Sequence, residues 1–131
     1  WINDIIINTY QELHNIGKCH SIECYNKNDL IGGLYGVHLG SCFFGESMFS
    51  LQKNTSKYCL LYLLAILKKN NFYLLDSQFY NAHLVQFGAH EIENNLYDSK
   101  LEKGLANNSD FKIIESFQEV LSLIQSTSQR S

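Results

Sequence analysis

No proline occurs among the 131 residues, no two cysteines form a Cys-x-x-Cys pair, no apolar stretch is long enough to cross a bilayer, and Lys and Arg (10) do not outnumber Asp and Glu (13). The missing proline excludes least. With Asn70-Asn71, Asn94-Asn95 and Asn107-Asn108 it reads as a coding sequence biased toward A and T, not as a functional signal. Without a Cys-x-x-Cys pair, Cys19, Cys24, Cys42 and Cys59 are expected to be free and mostly buried thiols in a reducing compartment. The longest apolar segment, Tyr58 to Leu67, ends at Lys68 and Lys69 and is far shorter than a membrane span, so a buried helix in a soluble protein accounts for it. A net charge of -3 argues against a protein that blankets phosphate backbone, so any RNA partner is held locally. The chain opens on Trp1 without the basic region and hydrophobic core of a signal peptide, so the expected compartment is the cytoplasm; the lack of an initiator Met reads as a fragment and keeps an organelle as the alternative.

What is present suits one globular domain over residues 1–131, with 45% hydrophobic and 18% charged residues. Trp1, Ile5, Ile6, Tyr10, Leu13 and Ile16 recur mostly in steps of three and four, which predicts an amphipathic helix closed by Gly17. His20 to Tyr25 and Leu30 to His38 are strand-like runs joined by Asn26-Lys27-Asn28-Asp29, a hairpin. The turn Leu39-Gly40-Ser41 leads into a third antiparallel strand, Cys42 to Met48. A helix capped by Thr55 or Ser56 follows, its end complemented by Lys68 and Lys69, and then a short central strand, Phe72 to Asp76. Shorter helices are expected over His83 to Phe87, Asn95 to Leu105 and Ile113 to Ile124, with Gln125 to Ser131 a disordered polar tail. The class is α+β, a mixed sheet flanked by helices.

Two pieces could carry chemistry. Asp76-Ser77-Gln78 ends a strand, and alternation sends Asp76 and Gln78 to one face, where a carboxylate beside an amide could orient an amine and take its proton. Alternatively, Asp76 is a strand-end carboxylate that caps a neighbouring loop. Glu46, inside Phe43-Phe44-Gly45-Glu46-Ser47-Met48-Phe49, is expected to need a cation or donors, whether from a ligand or an internal lysine. Gly32-Gly33-Leu34-Tyr35-Gly36 lies within a strand, so it reads as close backbone approach and not as a phosphate cradle. His14, His20, His38, His83 and His90 show no metal-ligand spacing.

Several segments, in order, resemble the leucyl/phenylalanyl-tRNA protein transferase family: Trp1-Ile2, His20-Ser21-Ile22-Glu23, Gly32 to Val37, Phe43 to Ser50, Ser56-Lys57, Leu75 to Gln78, His83-Leu84 and Gly88-Ala89. The match runs from Trp1 to about Tyr97, with residues 98–131 a helical C-terminal part. The resemblance implies a GNAT-like acyltransferase fold. It also implies transfer of Leu, Phe or sometimes Met from aminoacyl-tRNA to a protein beginning with Arg or Lys, marking that protein for degradation.

On this resemblance Asp76 draws the amine proton through Gln78, and Glu46 helps recognise the basic N-terminal residue of the acceptor. Leu34, Phe43, Leu60, Leu63 and Leu75 match the pocket for the transferred side chain, and Trp1 and Tyr10 match aromatics near the terminal adenosine of the tRNA. No cofactor, metal or membrane is implied, and the protein is expected to act as a monomer. Leu51 stands where members usually carry Arg, and Glu93-Asn94 where a basic residue usually follows Glu-Ile; both weaken the inferred tRNA contacts. The family's usual N-terminal domain has no counterpart in the chain, so this part alone is expected to lack full activity. Two rival readings are an acyl-CoA-dependent N-acetyltransferase and a non-catalytic tRNA- or peptide-binding module. The first is disfavoured because Leu51 to Thr55, before the long helix, holds no glycine for a pyrophosphate.

Overall fold

The computed structural model describes residues 11–77, 85–86, 90 and 92–128, with the backbone alone for 126–128. Residues 11–15 are helical, and Gly17 follows at φ +78, where the amide of Lys18 reaches back to the Leu13 carbonyl at 2.8 Å. This is the glycine-closed helix end expected from the sequence. Of the helix expected over His83 to Phe87, Val85 and Gln86 are described and both are helical.

Four strands, β1 (Cys19–Asn26), β2 (Asp29–Leu39), β3 (Cys42–Ser50) and β4 (Leu74–Ser77), form one sheet in that order. The first three are antiparallel and β4 joins β3 in parallel, so the mixed sheet is present. The β1–β2 turn is as short as its sequence suggested, with Lys27 taking the left-handed conformation at φ 57. The fourth strand departs from expectation: it begins at Leu74 and is the terminal, not a central, strand of the described sheet. Its apolar run has another cause, since Leu75 packs into the core while the amides of Tyr73 and Leu74 both point at the carbonyl of Ser41.

The helix α1 (Thr55–Lys69) covers one face of the sheet. Its start also differs from expectation. Asn54, left-handed at φ 68, occupies the cap position without a side-chain cap bond. Thr55 is instead the first helical residue, and its buried hydroxyl donates to the carbonyls of Ile31 and Gln52 and meets the Ser50 hydroxyl at 2.6 Å. Gly32 makes room for it, because a Cβ there would lie 2.5 Å from Thr55 Oγ1. Gly36 likewise accommodates the Phe43 ring, so the glycine-rich strand serves close approach as its sequence suggested.

A second helix, α2 (Asn94–Leu105), packs on the opposite face, where Gly104 lies against Cys42 and Tyr73. Ser41, 1% exposed, holds the end of α2 through its amide and hydroxyl, both donated to the Gly104 carbonyl at 2.8 and 2.7 Å. From there residues 106–116 pass around the Gly40 turn to the α1 side of the sheet, and α3 (Phe117–Ser128) packs against α1.

The last helix therefore starts four positions later than expected and extends into the stretch read as a disordered tail. An extended segment covers about twice the distance per residue of a helix, which is what the crossing requires. The side chain of Ser116 accepts from the amide of Glu119 at 3.4 Å and marks the new start. Lys69 pairs with Glu119 at 2.6 Å and Lys68 donates to the Leu123 carbonyl, so the two lysines tie α3 to α1. Among the described residues no helix is long and apolar enough to cross a membrane, and the four cysteines are free, three of them buried.

One polar contact crosses the edge of the core. His20 Nε2 and His38 Nδ1 lie 2.6 Å apart, so one ring donates and the other accepts; His20 stacks on Phe111 and His38 meets the edge of Phe72. Burial first, then the neighbouring His38 and His14, pull His20 down to about 4. Burial and then Lys18 lower His38, with Asp110 opposing.

Two outcomes are expected. Phe43→Ala, which empties a fully buried ring site, should lower unfolding stability by about 3–5 kcal/mol in urea titrations. Because the folded histidines bind protons more weakly than unfolded ones (ordinary value 6.5), their contribution to stability is complete above about pH 6.5 and is lost as pH falls toward 4. Replacing both histidines by glutamine should flatten the urea midpoint over that interval; an unchanged slope would show that other groups cause it.

Candidate functional site

Alternation assigns each strand residue to a face, and one irregularity decides where Glu46 goes. Leu34 and Phe43 both lie in the core under α1, and Met48, paired with Leu34, packs against the same cluster. Phe43 and Met48 are five apart, so strict alternation would place them on opposite faces. They share one because the β2–β3 register jumps from Tyr35↔Ser47 to Gly36↔Gly45 and leaves Glu46 as an extra, unpaired residue. This β-bulge puts the carboxylate on the face away from α1. Its field is felt there: burial first and Glu46 second push up the Cys19 thiol and the Tyr35 phenol, both on that face.

The expected partner of Glu46 is not found: among the described residues it has no hydrogen bond and no ion pair, and it is half-buried. Partial exposure replaces the missing cation, because the carboxylate keeps part of its hydration.

Leu75 faces the core, so Asp76 faces away from α1 and shares its face with Glu46. Asp76 pairs with Phe44 and Ser77 with Gly45 in parallel register, which puts the Asp76 and Glu46 Cα atoms roughly 8 Å apart from strand spacing and rise. Among the described residues Asp76 is not seen capping a loop. It accepts a 2.6 Å hydrogen bond at Oδ2 from the hydroxyl of Tyr97, in the first turns of α2. That bond, then burial, pushes the Tyr97 phenol up to about 12, so Tyr97 stays a proton donor through the physiological range.

Tyr97 is the site residue that sequence reasoning missed. It lies 21 residues from Asp76, and the pattern within α2 shows only that Tyr97, Leu101 and Gly104 share a helical face.

Leu34, Phe43, Leu60, Leu63 and Leu75 come together in one hydrophobic cluster between sheet and α1. The first four are at most 3% exposed, and Leu75 is half-buried at the margin. Leu51 is 71% exposed, and Glu93 and Asn94 lie exposed at the start of α2. Gln78, Trp1 and Tyr10 lie outside the described residues, as do the motif residues His83, Leu84, Gly88 and Ala89. An open recess of about 660 Å³ beside Phe72, Tyr73 and Lys69 contains none of the expected site residues.

With this geometry in view, the comparisons with known proteins are specific. A family model described as leucyl/phenylalanyl-tRNA protein transferase matches residues 1–102. A protein of that name from Maricaulis maris is 44% identical over 131 residues, which is all of this chain and 61% of the relative. Namesakes from Hyphomonas neptunium and Phenylobacterium zucineum are 48% and 50% identical over 111 residues, covering 85% of this chain and 43% and 50% of theirs. The chain thus spans about half the length of the relatives it matches. A solved structure of AAC(6')-Iy with a CoA-linked bisubstrate analog aligns over 88% of this chain and 79% of its own, at 12% identity and a TM-score of 0.47, too slight a likeness to decide anything.

Proposed function

The chain belongs to the leucyl/phenylalanyl-tRNA protein transferase family, and from that premise we propose that it carries the amide-forming site of an aminoacyltransferase. The observation that supports this most directly is the bulge at Glu46, which sets its carboxylate on the same face as Asp76. One acid serves the chemistry and the other the substrate's charge. The α-amine of the acceptor attacks the ester carbonyl of an aminoacyl-tRNA carrying Leu, Phe or Met. A carbon–nitrogen bond forms, the bond to the terminal ribose oxygen breaks, and the proton lost by nitrogen ends on that oxygen. Asp76 draws the proton through Gln78. An amide is more stable than an ester, so the step runs downhill without nucleotide or cofactor.

Glu46, half-hydrated and meeting no cation among the described residues, would pair with the side chain of an N-terminal Arg or Lys through a charge-assisted hydrogen bond. The cluster around Leu34, Phe43, Leu60 and Leu63 would receive the transferred side chain. Leu75 at its margin would mark the entrance, and the closed side chains would have to part to admit it. An apolar pocket of this kind accepts Leu and Phe and separates similar shapes weakly. Trp1 and Tyr10 would stack on the terminal adenosine. With Leu51, Glu93 and Asn94 in place of basic residues, the grip on tRNA would be weak and local. We take the acceptor to be marked for degradation, and the enzyme to work as a monomer in the cytoplasm.

Transfer of labelled Leu from charged tRNA to an Arg-starting peptide by the full-length protein tests the reading. Asp76→Ala is expected to lower the rate by about 10²–10⁴. Glu46→Gln should raise KM for Arg- and Lys-starting peptides by about ten- to hundredfold with a smaller change in kcat. Binding of both substrates without transfer by the unmodified protein would sink the enzymatic reading.

A further inference from the structure

We propose that Tyr97 is the positioning residue of Asp76: its hydroxyl, held in place by the docking of α2, selects one carboxylate oxygen as the anchored one and leaves the other for the proton. The inference rests on the proposed function, since it gives Tyr97 a task only if Asp76 has one.

Asp76 needs such a partner. It sits on a strand of four residues at the end of the described sheet, and among the described residues no cation meets its carboxylate. A carboxylate rotates easily about its terminal torsion, so without an anchor its two oxygens exchange places. The 2.6 Å bond from Tyr97 to Oδ2 breaks that equivalence. A base held in one orientation loses less entropy when the amine arrives.

Tyr97 is itself well held. Along one face of α2, Tyr97 meets Asp76, the Leu101 carbonyl accepts from the Cys42 thiol at 4.0 Å, and Gly104 rests on Cys42 and receives both donors of Ser41. Beside this seam the Lys100 ammonium lies 5.7 Å from the centre of the Tyr73 ring. The hydroxyl is therefore delivered to β4 by a helix fixed one and two turns further on to residues adjoining β3 and β4. Packing alone would be satisfied by a phenylalanine ring; the hydroxyl serves the carboxylate. A phenol held near 12 cannot exchange roles with Asp76 and act as the base.

The test uses the full-length protein with Tyr97→Phe, Asp76→Asn and the double variant. Tyr97→Phe is expected to lower kcat by about ten- to hundredfold, the worth of a hydrogen bond to a charged group, while KM for peptide and charged tRNA changes less than about threefold. In the double variant the rate should be no lower than in Asp76→Asn, because nothing remains to be positioned. A role confined to packing would instead give losses that multiply. The phenol resonance of Tyr97, followed by NMR, should titrate near 12 and return toward 10 in Asp76→Asn. Transfer lost in Asp76→Asn but undiminished in Tyr97→Phe overturns the role of Tyr97 alone, as do multiplying losses or a phenol that titrates normally. Full transfer by Asp76→Asn, or none by the unmodified protein, overturns the proposed function and this inference together.

Discussion

A carboxylate in the middle of an apolar strand must either find a partner or leave the core, and the organisation of this sheet follows from how Glu46 leaves it. The extra residue in β3 lets Phe43 and Met48 both stay under α1 while Glu46 turns to the other face. Without it, one of the two apolar side chains would be expelled, because the side-chain period of a strand is two. The bulge thus divides the sheet into a closed face, filled by Leu34, Phe43, Leu60 and Leu63, and a second face that carries Glu46 and Asp76. The parallel strand β4 obeys the same division, with Leu75 sent inward and Asp76 outward.

The second face is not left to the strands alone. The turn at Gly40 and Ser41 joins β2 to β3, receives the amides that begin β4, and holds the end of α2. A left-handed glycine at φ +59 allows the chain to turn that tightly against the carbonyls of Gly104 and Asn107. One buried serine therefore sets the position of α2 relative to β3 and β4, and through it the distance from Tyr97 to Asp76. The same turn carries the crossing segment to the α1 side, since the amide of Ser109 donates to the Gly40 carbonyl. There Phe111 stacks on His20, and α3 adds Val120 and Leu123 to the second core cluster.

Much of this was legible residue by residue. Period-two runs around Asn26 to Asp29 announced the hairpin, the long apolar period announced α1, and the glycines of β2 announced close approach. Other signals were present but outweighed. The start of α3 is written in Ser116 and Glu119, a Ser-x-x-Glu capping pair, yet Ile113 and Ile114 suggested a helix beginning earlier. Ile114 is buried for a different reason, as part of a crossing strap and not of a helix. Thr55 looked like a helix cap because threonine usually is one. Its hydroxyl is taken by the carbonyls of Ile31 and Gln52, and the first of these is distant in sequence.

The sequence by itself determined the class of the fold and the family and singled out Asp76 and Glu46 as candidates, because these rest on local pattern and on the cost of placing an acid among apolar neighbours. Only the tertiary structure decided which face of the sheet those acids occupy, that β4 is the terminal strand of the described sheet, that Tyr97 reaches Asp76, and that His20 meets His38. Each of these depends on one unpaired residue in a strand or on contacts between elements 18 to 63 positions apart. Alternation and helical period carry no information about partners at such separations; close packing and the pairing of buried polar groups supply it.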